Sequence, residues 1–137
     1  MKIVLTIIGI LSCIVITAQD TTDVYRLKNM KYMQFIKGID CNDEDISAFE
    51  MRVCSNLEFQ RVDSILNVQF IAFLNSLNND PNKEQQKNIH KTWVDKRRLQ
   101  SQQAADGYKG HHLGIVYLNT MIEVTVKRTI EIENLLK

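Results

Sequence analysis

The clearest pattern of hydrophobic and polar positions lies in the middle of the chain, between residues 48 and 77. Apolar residues recur there at steps of mostly three and four, which places them along one side of a helix of about eight turns. Ser47 and Glu50 have the spacing of a capping box, in which each side chain accepts a hydrogen bond from a free amide of the first turn. The pattern therefore predicts a long helix that begins after Ser47. Its predicted buried positions are Cys54, Leu57, Val62, Ile65, Leu66, Phe70, Phe73, Leu74 and Leu77.

A second helix is predicted over about 82–105, where most residues are polar. Asp80 has the position of its N-cap and Pro81 that of its first helical residue. Such a polar helix is exposed over most of its surface, so Trp93 is expected to anchor it in the core between the helices. Residues 106–112 end the helix and are expected to form a loop. The predicted core contacts are Ile89, Trp93, Val94, Leu99 and Ala104.

The last segment, residues 113–136, fits two patterns. Its Val, Ile and Thr residues alternate with polar ones, which favours a strand, but Tyr117, Met121 and Val124 also lie on one side of a helix. No second segment of comparable strand character exists, and a lone strand leaves its backbone amides unpaired. We therefore predict a third long helix.

Residues 20–40 form a leader, interpreted as a short amphipathic helix that Gly38 stops. Its apolar positions are Val24, Leu27, Phe35 and Ile36. With the three long helices, the predicted fold is all-α, a small antiparallel bundle of about three to four helices.

The first nineteen residues have the outline of a secretory signal peptide. Lys2 gives a positive start, residues 3–16 are almost wholly apolar, and small or polar residues follow. This run is too short for a membrane span, which needs about 20 apolar residues, and no later segment reaches that length. We expect the mature chain, residues 20–137, to be periplasmic or secreted. The alternative is lipoprotein processing, because residues 10–13 loosely resemble a lipobox that would anchor a lipid on Cys13.

The charge balance excludes a nucleic-acid-binding surface of the usual kind. The chain has 17 Lys and Arg residues, one of them Lys2, against 16 Asp and Glu residues, so the mature chain is formally neutral. It has no polybasic run and no acidic tail. Long-range steering toward a charged partner is therefore not built into its net charge.

Two cysteines remain after removal of the signal peptide, Cys41 and Cys54. A pair in a small exported chain indicates one disulfide, and two buried thiols are the alternative. Thirteen residues of straight helix span about 20 Å, whereas a disulfide needs Cα atoms within about 7 Å. If the bond forms, Cys41 must lie in a loop that folds back onto the helix of Cys54.

The motifs of metal binding and catalysis are missing. Residues 40–51 look like a calcium loop, but Asp45 replaces the glycine at the sixth position and Met51 the acidic residue at the twelfth. The histidines have no HExxH context, and there is neither GxSxG nor a glycine-rich phosphate loop. We therefore expect that this protein is not an enzyme and that it binds neither a metal nor another cofactor.

Four short blocks resemble the lysozyme inhibitor LprI family, and they occur in order between residues 41 and 135. Residues 47–54 (SAFEMRVC) are similar to the family's Thr-x-x-Glu-Met-x-x-Cys block, and residues 66–70 (LNVQF) to Leu-Asn-x-x-Tyr. Residues 93–97 (WVDKR) match Trp-x-x-x-Arg, and residues 125–128 (TVKR) resemble Thr-x-x-Arg. The resemblance implies a helical domain over 41–137. The motif residues carried over, expected to be mainly structural, are Glu50, Met51, Leu66, Asn67, Phe70, Trp93, Arg97, Thr125 and Arg128.

The chain departs from the family in its cysteines. The two further cysteines that the family commonly carries are both missing around residues 100–101 and 118–121. Because Cys41 and Cys54 remain together, the resemblance implies that they pair with each other. Two antiparallel helices would also allow Glu50 to meet Arg97, the alternative being that Glu50 only caps its helix.

The resemblance implies a protein partner, and the first hypothesis is inhibition of a lysozyme (muramidase). Such enzymes use two carboxylates in a cleft, to which an inserted loop can offer a cation or a hydrogen-bond donor. The candidate partner-binding loop is Tyr108, Lys109, His111 and His112. An envelope interaction module with another protein target is the alternative, favoured by exposed apolar residues on the second long helix. An enzyme would need a convergent polar pocket.

Overall fold

The computed structural model describes residues 21–78 and 81–137. The predicted signal peptide, with Cys13, and the predicted N-cap Asp80 lie outside the described residues. Four α-helices and one 3-10 turn, with no strand among the described residues, confirm the all-α prediction. The elements are α1 (Thr21–Lys28), the 3-10 turn (Lys31–Phe35), α2 (Ala48–Ser76), α3 (Asn82–Ala104) and α4 (Gly110–Leu135).

Helix α2 begins at the predicted capping box. The Ser47 amide donates to Glu50 Oε2 at 2.8 Å, and the Glu50 amide donates to Ser47 Oγ at 3.3 Å. The predicted stripe is partly out of phase, because Leu57 and Ile65 are exposed while the polar Asn56 and Asp63 are buried. The buried residues of α2 are Val53, Asn56, Phe59, Val62, Asp63, Leu66, Phe70 and Phe73.

Helix α3 faces the core with polar residues, so its predicted contacts are largely wrong. Ile89 is 43% exposed and Leu99 is 54% exposed, and Ala104 is exposed as well. Of the predicted core positions, Val94 is buried and Trp93 is partly buried. Pro81 occupies the N-cap position and not the first helical position. The buried residues of α3 are His90, Val94, Arg97 and Ser101.

Helix α4 settles the ambiguous last segment as a helix. The hydroxyl groups of its buried threonines are satisfied within the helix, because Thr125 Oγ1 donates to the Met121 carbonyl at 2.6 Å and Thr129 Oγ1 to the Thr125 carbonyl at 3.0 Å. The helix begins at Gly110, so the predicted loop is too long. Gly107, with φ of 84°, makes the turn between α3 and α4 in the left-handed region that glycine enters without strain.

The leader is shorter as a helix than predicted, but it belongs to the core. Helix α1 ends at Lys28, and Phe35 is exposed. Leu27 is buried against Phe59, Leu118 and Met121. The leader therefore closes one half of the bundle.

The predicted disulfide joins Cys41 to Cys54, with the Cα atoms 5.6 Å apart. The bond confirms the pairing and excludes two free thiols. It fastens the loop after the 3-10 turn to the second turn of α2. In the chain-entropy account, closing a loop of this size stabilises the fold by about 3 kcal/mol.

The core has two apolar halves with a polar layer between them. The first half contains Leu27, Phe59, Leu118 and Met121, and the second contains Leu66, Phe70, Phe73 and Ile132. On α2 the buried Asp63 lies between Phe59 and Leu66 in sequence, and on α4 the buried Thr125 lies between Met121 and Ile132. The polar layer thus separates two clusters that share the same helices.

Candidate functional site

A fully buried arginine is the centre of the polar layer. Arg97 Nη1 donates to Asp63 Oδ1 at 2.6 Å and to Thr125 Oγ1 at 2.9 Å, while Nη2 donates to Asp23 Oδ2 at 3.1 Å. The Arg97 side chain has an exposed fraction of 0%. Arg98 adds a further bond to Asp23 Oδ1 at 2.8 Å. Four helices therefore meet through one guanidinium group.

The two carboxylates of this layer differ in their pKa. Burial works to raise the pKa of Asp23, but the hydrogen bond from Arg98 and the charges of Arg97 and Arg98 outweigh it and lower the pKa. Burial dominates at Asp63 and raises its pKa, although the charge of Arg97 opposes the shift. Both carboxylates are buried in the interior of the bundle.

The expected contact between Glu50 and Arg97 is wrong. Glu50 Oε2 accepts hydrogen bonds from both the amide and the hydroxyl of Ser47. Arg97 binds Asp63, thirteen residues further along α2, which is about 20 Å of helix. This register could not be predicted from the sequence, because Asp63 looks like an ordinary exposed carboxylate in an amphipathic pattern.

Three of the four motif blocks converge around Trp93. The Arg97 Cζ atom lies 4.9 Å from the centre of the Trp93 ring, and the Arg128 Cζ atom lies 5.8 Å from it. His90 stacks between Trp93 and Phe70, at centroid distances of 5.4 and 3.9 Å. Burial, followed by the charges of Arg128 and Arg97, lowers the pKa of His90 to about 4. His90 is therefore neutral at physiological pH.

The remaining motif residues lie along α2. Leu66 is buried in the second core half, and Asn67 Nδ2 donates to Asp63 Oδ2 at 3.3 Å. Glu50 caps the helix, and Met51 beside it is exposed.

The candidate partner-binding residues lie at the end of the bundle where α2 and α4 begin and α3 ends; with the disulfide and its loop, we call this the disulfide end. Lys109 is the N-cap of α4, while His111 and His112 lie in its first turn. All four candidates are exposed.

The four residues do not form one cluster. Tyr108 lines a shallow hollow with Leu113 and Tyr117. His111 instead stands edge-to-face on Phe49, with the ring centres 5.7 Å apart. The turn thus offers two separate contact regions.

An exposed aromatic row at the disulfide end was missed by sequence reasoning. The Phe49 ring lies between His111 and Phe35, whose ring centre is 6.5 Å away. The sequence pattern instead assigns Phe35 to the apolar positions of the leader helix. The only available signal was that an aromatic residue follows a helix cap, which is too common to identify a surface.

Arg52 packs against the 3-10 turn that carries Phe35, one member of this row. Its Cζ atom lies 4.2 Å from the centre of the Tyr32 ring, and Asn56 Nδ2 donates to the Tyr32 hydroxyl at 2.6 Å. Gly114 on α4 lets Arg52 pass, because a Cβ atom there would overlap the guanidinium group. The aromatic row is therefore held by packing on both α2 and α4.

Residues 21–78 and 81–137 contain no group of three or more His, Cys, Asp or Glu side chains arranged to hold a metal ion. None of the helices within these ranges is long and apolar enough to cross a membrane.

Comparison with known proteins identifies one family. The family model described as lysozyme inhibitor LprI matches residues 41–132. The match contains the disulfide, all of α2 and α3, and most of α4, and it leaves out α1 and the 3-10 turn. No curated protein and no solved structure matches the chain. Because the matched region exceeds half of the chain, this protein belongs to the LprI family of lysozyme inhibitors.

Proposed function

We propose that this chain is an exported cell-envelope binding protein that inhibits a lysozyme. The observation that carries the proposal is the family match, which extends from Cys41 through nearly the whole of α4. The chain acts by binding a protein and not by catalysis. Its buried carboxylates, Asp23 and Asp63, are engaged with arginines inside the bundle.

The disulfide end is the proposed inhibitory surface. It presents two exposed aromatic side chains in separate contact regions, Phe35 beside Phe49 and Tyr108 next in sequence to the basic Lys109. Aromatic residues are the usual energetic anchors of protein interfaces. A cation beside them suits a cleft that contains two catalytic carboxylates. The disulfide and the capping box order this end before binding, which reduces the entropy lost on association.

Two features support export. The apolar run at residues 3–16 has the form of a signal peptide, and a disulfide such as the bond between Cys41 and Cys54 is typical of an oxidising compartment. We place the mature protein in the periplasm or outside the cell. A lipid on Cys13 is the alternative form of the same export route.

The motif residues are proposed to hold the fold and not to touch the partner. Arg97 contacts both Trp93 and Thr125 inside the bundle, and Glu50 caps α2. Met51 is the exception, since it is exposed close to the disulfide end.

The test is a titration of the mature chain, residues 20–137 with the disulfide formed, into a lysozyme assay on peptidoglycan. We expect saturable inhibition that ends near one inhibitor per enzyme. The double change Lys109→Ala and His111→Ala should weaken it at least tenfold, as the loss of about 1.4 kcal/mol does. Lys127→Ala is the matched control, because Lys127 is exposed on the same helix, about 24 Å from His111.

The outcomes separate the function from its surface. Inhibition that survives the double change would keep the function and exclude these two residues as anchors. An absence of inhibition with every lysozyme type tested would leave the second candidate, an envelope interaction module. The exposure of Ile89 and Leu99 on α3 favours that candidate, because apolar side chains on a polar helix offer a further docking surface.

A further inference from the structure

A groove lies between α3 and α4 in the half of the bundle away from the disulfide end. Its volume is about 650 Å³, within the range of ligand sites. It is open to solvent, and Trp93 forms part of its lining. The lining residues are Gln85, Asn88, Ile89, Thr92, Trp93, Lys96 and Arg128.

The groove has two cations. Lys96 is exposed and forms no ion pair with a described residue. Arg128 is mostly buried; its Nη1 donates to the exposed Glu131 at 2.9 Å, and its Nε is buried without a hydrogen-bond partner among the described residues. None of the lining residues is acidic in the part of the chain that the structure describes. The groove therefore keeps positive charge that one exposed carboxylate only partly offsets.

The rest of the lining is apolar or neutral. Ile89 and Trp93 form an apolar wall, and Ile89 is exposed, although it stands on a helix that is otherwise mostly polar. Gln85 and Asn88 carry side-chain amides, which donate and accept the hydrogen bonds that a peptide backbone needs. Thr92 adds a hydroxyl group to the same lining.

We propose that this groove binds a peptide segment that carries a carboxylate next to an apolar side chain. The carboxylate lies between Lys96 and Arg128, and the apolar side chain contacts Ile89 and Trp93. The amides of Gln85 and Asn88 pair with the peptide backbone. An open groove along two helices suits an extended segment, and the two cations give it the complementary charge.

The carboxylate has two sources, an acidic side chain or a free chain terminus, and three short peptides separate them. The probes are acetyl-Ala-Leu-Leu with a free carboxylate, the same peptide as its amide, and acetyl-Asp-Leu-Leu-amide. Trp93 is the one tryptophan of the chain, so its fluorescence reports binding without a label. At least one charged peptide should bind tenfold or more tightly than the neutral amide, since a hydrogen bond to a charged group contributes about 1.5–3 kcal/mol.

Variants of α3 test the place of binding. Lys96→Gln should weaken the charged peptide about tenfold and leave the neutral one unchanged. Lys91→Gln is the matched control, because Lys91 is exposed on the same helix and does not line the groove. Arg128→Lys keeps the charge but loses the planar guanidinium, and it should also weaken the charged peptide.

The result decides the proposal either way. A preference for the free acid assigns the groove to a chain terminus, and a preference for the Asp peptide assigns it to an acidic side chain. Equal binding of charged and neutral peptides, or a charged peptide that Lys96→Gln does not weaken, would overturn it. Lysozyme inhibition is measured separately, because the disulfide end and the groove lie in different halves of the bundle.

Discussion

At the scale of single residues, the polar layer around Arg97 is the feature that joins all four helices. A buried charge stabilises a protein only when its partners offset the loss of hydration. Arg97 has Asp63 and Asp23 as partners, together with the Thr125 hydroxyl. The removal of one partner leaves an uncompensated charge in the core.

Asp63→Ala is predicted to lower the free energy of unfolding by about 3 kcal/mol or more, because it removes one carboxylate from the buried guanidinium. Asp95→Ala is the control, since Asp95 is exposed and pairs with Arg98 at the surface; it should cost less than about 1 kcal/mol. Urea unfolding measures both. Equally small losses of unfolding free energy in the two variants would contradict a stabilising contact between Arg97 and Asp63.

His90 predicts a dependence of stability on pH. The folded pKa of about 4 lies below the unfolded value near 6.5, so the unfolded chain binds a proton that the native state does not. Stability should therefore fall as the pH decreases from about 6.5 to about 4, by no more than about 3 kcal/mol from this group.

The test compares the pH slope of urea unfolding in the wild type and in His90→Phe, which keeps a ring against Phe70. The slope should be smaller in the variant. His112→Gln, at an exposed site, is the control and should keep the wild-type slope. An unchanged slope in His90→Phe would contradict a buried neutral imidazole.

At the scale of elements, the sequence predicted the existence of the helices better than the direction in which they face. Helix periodicity and the capping box located α2, and the missing partner strand identified α4 as a helix. The phase of α3 was wrong because hydrophobic pattern analysis assumes that the buried side is apolar. In α3 the buried positions include His90, Arg97 and Ser101, whose partners lie on other helices or one turn back.

The same limit applies to the candidate surface. The turn after α3 was visible as a break in the pattern, so Tyr108 and Lys109 could be assigned to it from the sequence. The aromatic row of Phe35 and Phe49 was not found, since it forms only when the 3-10 turn packs against α2. A contact between two distant segments leaves no periodic signal in either one.

Gly114→Ala tests how α2 and α4 are joined at this end. Alanine favours a helix over glycine by about 1 kcal/mol, but its Cβ atom would displace Arg52 from the Tyr32 ring. We expect a net loss of about 1–3 kcal/mol, as overpacking costs. The loss should shrink when Arg52→Ala is combined with it, and thermal unfolding of the four proteins of this cycle measures the coupling. A variant more stable than the wild type would contradict the close approach.

At the scale of the whole molecule, the helical unit is larger than the family region. The family match begins at Cys41, yet Asp23 and Leu27 on α1 are buried in the polar layer and the first core half. The leader is thus part of the packed bundle in this chain. The polar layer connects all four helices, and the loss of α1 would remove one of the two carboxylates that bind the buried Arg97.

A fragment of residues 41–137 is predicted to be less stable than residues 20–137 by several kcal/mol, because it lacks the Asp23 carboxylate and uncovers Phe59 and Met121. Circular dichroism with urea checks this. Asp23→Asn in the full mature chain separates the two causes, since it keeps the apolar cover. Equal stability of fragment and mature chain would show that α1 is dispensable.

Inhibition of lysozyme by two matched variants tests whether the disulfide end is the inhibitory surface. Phe35→Ser removes an aromatic side chain of the disulfide end that is 65% exposed, and Val68→Ser removes an apolar side chain of α2 that is 64% exposed. When the mature chain is titrated against lysozyme, we expect Val68→Ser to inhibit like the wild type and Phe35→Ser to inhibit at least tenfold less well. A wild-type chain that inhibits no lysozyme would contradict the function, and equal inhibition by both variants would contradict the part of the surface assigned to Phe35.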